Sequence, residues 1–410
     1  MGKKKMLPLA GVRVLDLGAV LMAPYACQWL ADFGADVIKI ESPAGDTTRY
    51  TGPSTEPGMA AVYLGINRNK RAIVLDIQKP EGRAVLETLI AGADILVHNI
   101  RPQKLAKLDL APDAVLKLHP GLVYATLNGF DGAGRYAGQP AYDDIIQGMS
   151  GIVDLAVRQT GVPRYPPQVN ADKTTGIVAA MAILAGYVSR QKTGVGCTVE
   201  IPMFETLVGY NMVEHLYGAT FKPSLGGTGY PRPLATSRGP YRTRDGLISM
   251  MPYTDQQWLD FFRQFPEKRL SDDPRFRDIG ARTKHITELY QELANVLPER
   301  TSAEWLTLCD ELSIPAGPVL SLDEILEDPH LAETGFFSHL HDPGMGDFRM
   351  PGSPIRFDGE RPPSKVPPRL GEHSRAVLAE AGYADEAIDA LVAAGVVREP
   401  SSSAAATAAE

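Results

Sequence analysis

The stretch QVNADKTTG (168–176) carries one carboxylate, Asp172, and runs straight into IVAAMAILAGYVSRQKTG, an apolar segment rich in small residues. An acid at that place can do two kinds of work. As an N-cap it accepts hydrogen bonds from the free N–H groups of a first helical turn. As a nucleophile it attacks an electrophilic carbonyl, and the same N–H groups and helix dipole favour its ionised form. Residue type and position leave both roles open. The small neighbours Gly176, Ala179 and Ala180 predict room beside it for an acyl group and for backbone N–H groups to approach an oxyanion.

Two basic clusters stand out. NRNKR (67–71) packs three cations into five residues, which reads either as solvated surface or as an anion contact. NIRPQKLAK (99–107) follows a buried strand, so Asn99 and Arg101 fall where open α/β sheets hold anionic ligands, and a polyphosphate suits the cluster better than a single carboxylate.

The elements that must position these residues alternate in type. VRVLDLG (12–18), DVIKIE (36–41), AIVLDI (72–77), DILVHNI (94–100) and LVYATLNGF (122–130) read as buried strands. Helices are expected at 24–34, 80–93 and 111–119, with Pro80 opening the second. This order predicts an open, doubly wound, mainly parallel α/β sheet of Rossmann-like kind. GCTVEIPMFE (196–205) adds a strand and then a helix to about Tyr217. KPSLGGTGYPRP (222–233) marks a boundary. Beyond it, YRTRDGLISMMP reads as a hairpin, followed by helices near 255–265, 281–297 and 302–313. The expected division is a large domain over 1–224, a smaller α+β domain over 225–320, a return to the large domain over 321–400, and a low-complexity, disordered tail over 401–410.

Composition narrows the function classes. With 44% hydrophobic and 22% charged residues the chain is that of an ordinary globular protein, and a net charge of −8 disfavours nucleic acid or an anionic membrane as a partner. The start, MGKKKMLPLAG, lacks the apolar core of a secretory signal, so a cytoplasmic location is expected. Cys27, Cys197 and Cys309 form no CxxC pair, and the eight histidines contain no HxxxH or HExxH, so neither a disulfide framework nor a metal is expected. Only Gly18 stands where a dinucleotide fold carries GxGxxG, which argues against a nicotinamide or flavin.

The blocks LAGVRVLDLGAVLMAPYACQWLADFGADVIKIE, NRNKRAIVLDI, NIRPQKLAKLDL, PAYDDIIQGMSG, ADKTTG and IPAGPVLSLDEILEDPHL, in that order, resemble the class III coenzyme A transferases, the CaiB/BaiF family. The resemblance implies that Asp172 is the nucleophile, forming an aspartyl anhydride and then an aspartyl-CoA thioester. It implies coenzyme A contacts at Val20, Leu21, Asn69, Lys70, Asn99, Ile100, Arg101 and Lys107. Gly226, Gly227 and Gly229 are similar to a glycine loop that covers the site. It further implies an interlocked homodimer, an acyl-CoA and a small carboxylic acid as substrates, and no permanently bound cofactor. NIRPQ stands in place of NFRPG, and Ser42 where an arginine is common.

The same fold serves α-methylacyl-CoA racemases, which need a base on each side of the α-carbon. Tyr142 occupies the place of a racemase histidine, and no histidine lies between His119 and His215. A phenol with a pKa near ~10 is a poor base at neutral pH, so transfer is the expected chemistry and Tyr142 a shaper of the acyl pocket. A non-catalytic acyl-CoA binding protein would have lost the nucleophile, and Asp172 is present.

Overall fold

The computed structural model describes residues 6–400; the expected tail, 401–410, lies outside them. The chain divides into two units. The first takes in residues up to Ser150, Pro166–Gly209 and Ala332 onward; the second takes in Gly151–Tyr165 and Tyr210–Leu331. The second unit is thus wider than the span 225–320, and it includes a segment from ahead of Asp172.

In the first unit, β1 (Arg13–Asp16), β2 (Asp36–Glu41), β3 (Arg71–Leu75), β4 (Ile95–His98), β5 (Val123–Asn128) and β6 (Cys197–Pro202) are parallel, and β12 (Val397–Arg398) joins antiparallel beside β3. The order β12-β3-β2-β1-β4-β5-β6 reverses direction between β1 and β4. Apolar residues run along consecutive positions because both faces are covered. Val14, Val37 and Ile95 face α1 (Met22–Asp32) and α8 (Asn170–Thr193). Their neighbours Leu15, Ile38 and Leu96 face α3 (Pro80–Ala91), α17 (Ser374–Glu380) and α18 (Asp385–Ala393). This is the doubly wound sheet expected from the alternation. α2 (Ala61–Ile66), α4 (Pro102–Leu105), α5 (Pro112–Leu118) and α6 (Asp143–Met149) connect the strands, and the hairpin of β10 (Phe337–Asp342) and β11 (Gly346–Pro351) precedes α17. That hairpin has no counterpart among the expected elements.

In the second unit, β7 (Tyr241–Arg242), β8 (Leu247–Met250) and β9 (Ala316–Pro318) form an antiparallel sheet. Around it lie α7 (Ile152–Thr160), α10 (Pro231–Leu234), α11 (Asp255–Phe262), α12 (Ile279–Lys284), α13 (Ile286–Val296) and α14 (Ser302–Glu311). The helix expected over 281–297 is broken at His285, whose φ of −113° is not helical, leaving α12 and α13. Thr254 with Gln257, and Thr301 with Glu304, form capping boxes that fix where α11 and α14 begin.

Small residues on α8 serve packing. A Cβ at Gly176 would lie 3.0 Å from the Met22 carbonyl oxygen and 3.0 Å from the Tyr25 ring, and Ala179 and Ala180 are buried. The expectation that these residues leave room for an acyl group is therefore corrected: the space is filled by α1, which approaches α8 backbone to backbone.

The NRNKR cluster turns largely inward, and Arg71 stays partly exposed, paired with Asp36 and Glu380. Lys70 is buried, and its three ammonium hydrogens are matched by Asp16 Oδ2 at 2.8 Å, the Pro24 carbonyl at 2.7 Å and Asn67 Oδ1 at 2.8 Å. Arg68 forks onto Asp32 at 2.9 and 2.5 Å, and Asn69 bridges Asp32 and the Lys365 N–H. Nearby, Lys39 Nζ donates to Asp46 Oδ2 at 3.0 Å and to the Gly18 carbonyl at 2.9 Å, and Arg49 pairs with Glu41 while stacking 3.9 Å from the Tyr63 ring centroid.

Removing one partner of a buried pair strands the other charge. Lys70→Met is expected to destabilise the protein by about 3–5 kcal/mol in chemical denaturation, and the double variant with Asp16→Asn to recover much of that loss. A single-variant cost below ~1 kcal/mol would mean that Asp16 is not held charged by Lys70.

Candidate active site

Beyond the carboxyl ends of β1, β4 and β5, at the point where the strand order reverses, lies an open cavity of about 560 Å³. Such crevices are where α/β sheets take ligands. The turn after β1 contributes Ala19 and Val20, the connection after β4 contributes Asn99, Ile100, Arg101 and Lys104, and the connection after β5 ends on the wall at Tyr142.

The turns are rigidly tied. Val20 has φ +67°, an uncommon conformation for a β-branched residue, and its N–H donates to Asp46 Oδ1 at 3.3 Å. Asn99 pairs with Ala19 as a second strand would: its Oδ1 accepts the Ala19 N–H at 3.0 Å, and its Nδ2 donates to the Ala19 carbonyl at 2.8 Å. Ile100 donates its N–H to His98 Nδ1 at 3.2 Å, so His98 carries its hydrogen on Nε2, which faces the Tyr124 hydroxyl at 2.9 Å. Burial lowers the His98 pKa to about 4, leaving a neutral ring that braces the loop.

Arg101 and Lys104 are exposed on this wall, neither has a side-chain partner among the described residues, and no carboxylate lines the cavity. Two uncompensated cations make the wall a receptor for an anion.

The remaining expected contacts fall elsewhere. Leu21 is the half-buried N-cap of α1, Asn69 and Lys70 are spent on internal partners, and Lys107 is exposed on the short turn Ala106–Leu108 away from the wall. Gly226, Gly227 and Gly229 belong to the second unit. There the Ser224 hydroxyl bonds the Gly226 carbonyl at 2.5 Å, the Gly229 N–H bonds the His215 carbonyl at 2.7 Å, and Arg158 holds the Thr228 carbonyl at 2.8 Å. Within the NIRPQKLAK cluster the sequence does not single out Lys104; the short helix opened by Pro102 brings it, with Arg101, onto the wall.

Asp172 is not a cap. Val169 takes that place, and Asp172 is the third residue of α8, half-buried, with its own N–H donating to Asp143 Oδ1 at 3.1 Å. The other oxygen of Asp143 accepts from the Gln147 amide. A first-turn position favours a negative charge, but burial and then the adjacent Asp143 charge outweigh it and raise the Asp172 pKa to about 7. The expectation of a fully ionised carboxylate is corrected accordingly. Asp143 follows Tyr142 directly, so one residue links the cavity wall to the acid pair. The sequence shows two acids 29 residues apart and nothing that joins them.

Among known proteins, the model of CoA-transferase family III matches residues 9–374. Succinyl-CoA:glutarate CoA-transferase of Mus musculus is 32% identical over 404 residues, covering 96% of this chain and 91% of that protein. Formyl-CoA:oxalate CoA-transferase of Escherichia coli O6:H1 is 31% identical over 412 residues, covering 94% and 98%. A crystal structure of a CaiB/BaiF family protein from Brucella suis superposes with a TM-score of 0.75 at 29% identity, covering 92% of this chain and all of that one.

A carboxyl group with a raised native pKa binds a proton that the unfolded chain has already lost, so its contribution to stability falls as pH rises from about 4 to about 7. Asp172→Asn removes that charge. Relative to the parent, the variant is expected to gain about 1–2 kcal/mol in denaturant unfolding between pH 5 and pH 8, well under the full linkage value because the group is partly solvated. A constant difference across that range would mean that the site does not perturb Asp172.

Proposed function

Because the chain belongs to CoA-transferase family III, an enzyme family, we propose that it moves coenzyme A between carboxylic acids with Asp172 as the nucleophile. The observation that carries this reading is the half-buried Asp172 beside Asp143, one residue from a cavity whose wall holds two unpaired cations.

The Asp172 carboxylate attacks the thioester carbonyl of the donor and expels CoA thiolate, leaving a mixed anhydride. The thiolate then attacks the aspartyl carbonyl, which releases the donor acid and forms an aspartyl-CoA thioester. An acceptor carboxylate attacks that thioester, giving a second anhydride and thiolate, and thiolate attack on the acceptor's carbonyl releases the new acyl-CoA and restores Asp172. A carboxylate whose pKa lies near neutrality is more basic than an ordinary aspartate and a correspondingly better nucleophile.

Arg101 and Lys104 bind the phosphates of coenzyme A; Val20, Asn99 and Ile100 shape the wall against it, and Lys107 adds charge on the same connection. Asn69 and Lys70 act from behind the turn after β1. The named acceptors of the relatives, glutarate and oxalate, are short dicarboxylic acids, and a short dicarboxylate with succinyl-CoA as donor is proposed here as well. A homodimer is proposed from the apolar side chains left exposed at helical spacing on α8, Ile177, Met181 and Val188. The free thiols suit a cytoplasmic setting.

Hydroxylamine added during turnover is expected to convert Asp172 alone to a hydroxamate, detected by peptide mass. New CoA ester is expected to form only when an acceptor acid is present. Rapid solvent exchange of the α-proton of a 2-methylacyl-CoA, with no dependence on an acceptor, would replace transfer by racemisation. Arg101→Ala and Lys104→Ala should each raise the KM for acyl-CoA about tenfold and change kcat less. An unchanged KM in both would place the phosphates elsewhere.

A further inference from the structure

The second unit contains a cavity of about 570 Å³ that no part of the proposed reaction uses. Arg232, Arg238 and Tyr241 stand on its wall, and Met250, Met251 and Pro315 form an apolar lining. Arg232 is held in place: its Nε donates to the Tyr290 hydroxyl at 3.0 Å, and its guanidinium lies 5.5 Å from the Tyr253 ring centroid. Arg238 is exposed and has no side-chain hydrogen bond or ion pair among the described residues. Tyr241 is only 4% exposed, and its hydroxyl is buried without a hydrogen-bond partner. An orphaned buried hydroxyl is rare in a folded protein and asks for an acceptor. No carboxylate lines the cavity, although acids outnumber bases in the chain as a whole.

The geometry points to a binding site for the carboxylate of a short aliphatic acid. Both guanidinium groups can present paired N–H donors to a planar carboxylate, the Tyr241 hydroxyl donates a further hydrogen bond, and the methionine and proline lining receives methylene groups. No residue of the Asp172 site takes part, so the acid bound here is additional to the one undergoing exchange.

The test is calorimetric titration of the full-length protein, without coenzyme A, using glutarate, propionate and inorganic phosphate in parallel. Glutarate and propionate are expected to bind, and phosphate more weakly. Arg238→Ala should weaken binding about tenfold and Tyr241→Phe about threefold. Tyr241→Phe keeps the buried ring, so an unchanged melting temperature certifies its fold. Arg101→Ala with Lys104→Ala should leave this binding unaltered, which separates it from the cavity at the sheet. Absence of heat with either acid, binding insensitive to Arg238→Ala and Tyr241→Phe, or phosphate binding as tightly as the acids would each overturn the assignment.

Discussion

Three acids and three bases, Asp16, Glu41, Asp46, Lys39, Arg49 and Lys70, lie buried beneath the turn that follows β1, and the rest of the first unit is arranged around keeping them paired. Burying such groups costs several kcal/mol per ion unless geometry and hydrogen bonds offset it. Here each ammonium has carboxylate and carbonyl partners, and Asp46 also accepts the N–H groups of Thr48 and Val20. For Lys39, burial alone would lower the pKa, but Asp16, Asp46 and Glu41 together leave it raised. For Lys70, burial wins and the pKa is lowered. The network therefore specifies position: it fixes the end of β1, the left-handed Val20 and the start of α1.

The first unit thus handles charge in three ways. Compensated pairs beneath the turn hold the backbone. Uncompensated cations on the cavity wall await an anion that the protein does not supply. Two acids stand at the starts of α6 and α8, and burial, then their mutual repulsion, makes Asp172 hold a proton more readily than an isolated aspartate. The second arrangement is open to an anion, and the third moves the pKa of a carboxyl group toward neutrality.

The strands of the large sheet were legible because both faces are covered and the apolar runs are continuous; α1, α3 and α5 were legible from Gly34, Pro80 and their apolar faces. The hairpin of β10 and β11 was not, since FSHLHD has only two apolar residues, three apart, and so lacks a period-two pattern, although Pro343-Gly344 marks the turn. Asp172 was recognisable as a reactive candidate, but its place three residues into α8 was not, because Val169 and Asn170 give no capping signal stronger than the aspartate itself. Lys70 and Asn69 illustrate the same limit: charge is visible in a sequence, whereas whether a side chain turns inward depends on Asp16 and Asp32, which lie 54 and 37 residues away.

The contact of α8 with α1 at Gly176 bears on how the site responds to heat. A junction of one backbone with another has no rotamers to populate, so warming adds little looseness at that point before the helices separate altogether. Asp172 lies one turn ahead of Gly176 on the same helix, and Met22, whose carbonyl is touched, also lines the cavity. The distance between Asp172 and the cavity wall is therefore set by backbone rather than by side chains, and it should persist almost unchanged up to the melting transition and then be lost at once.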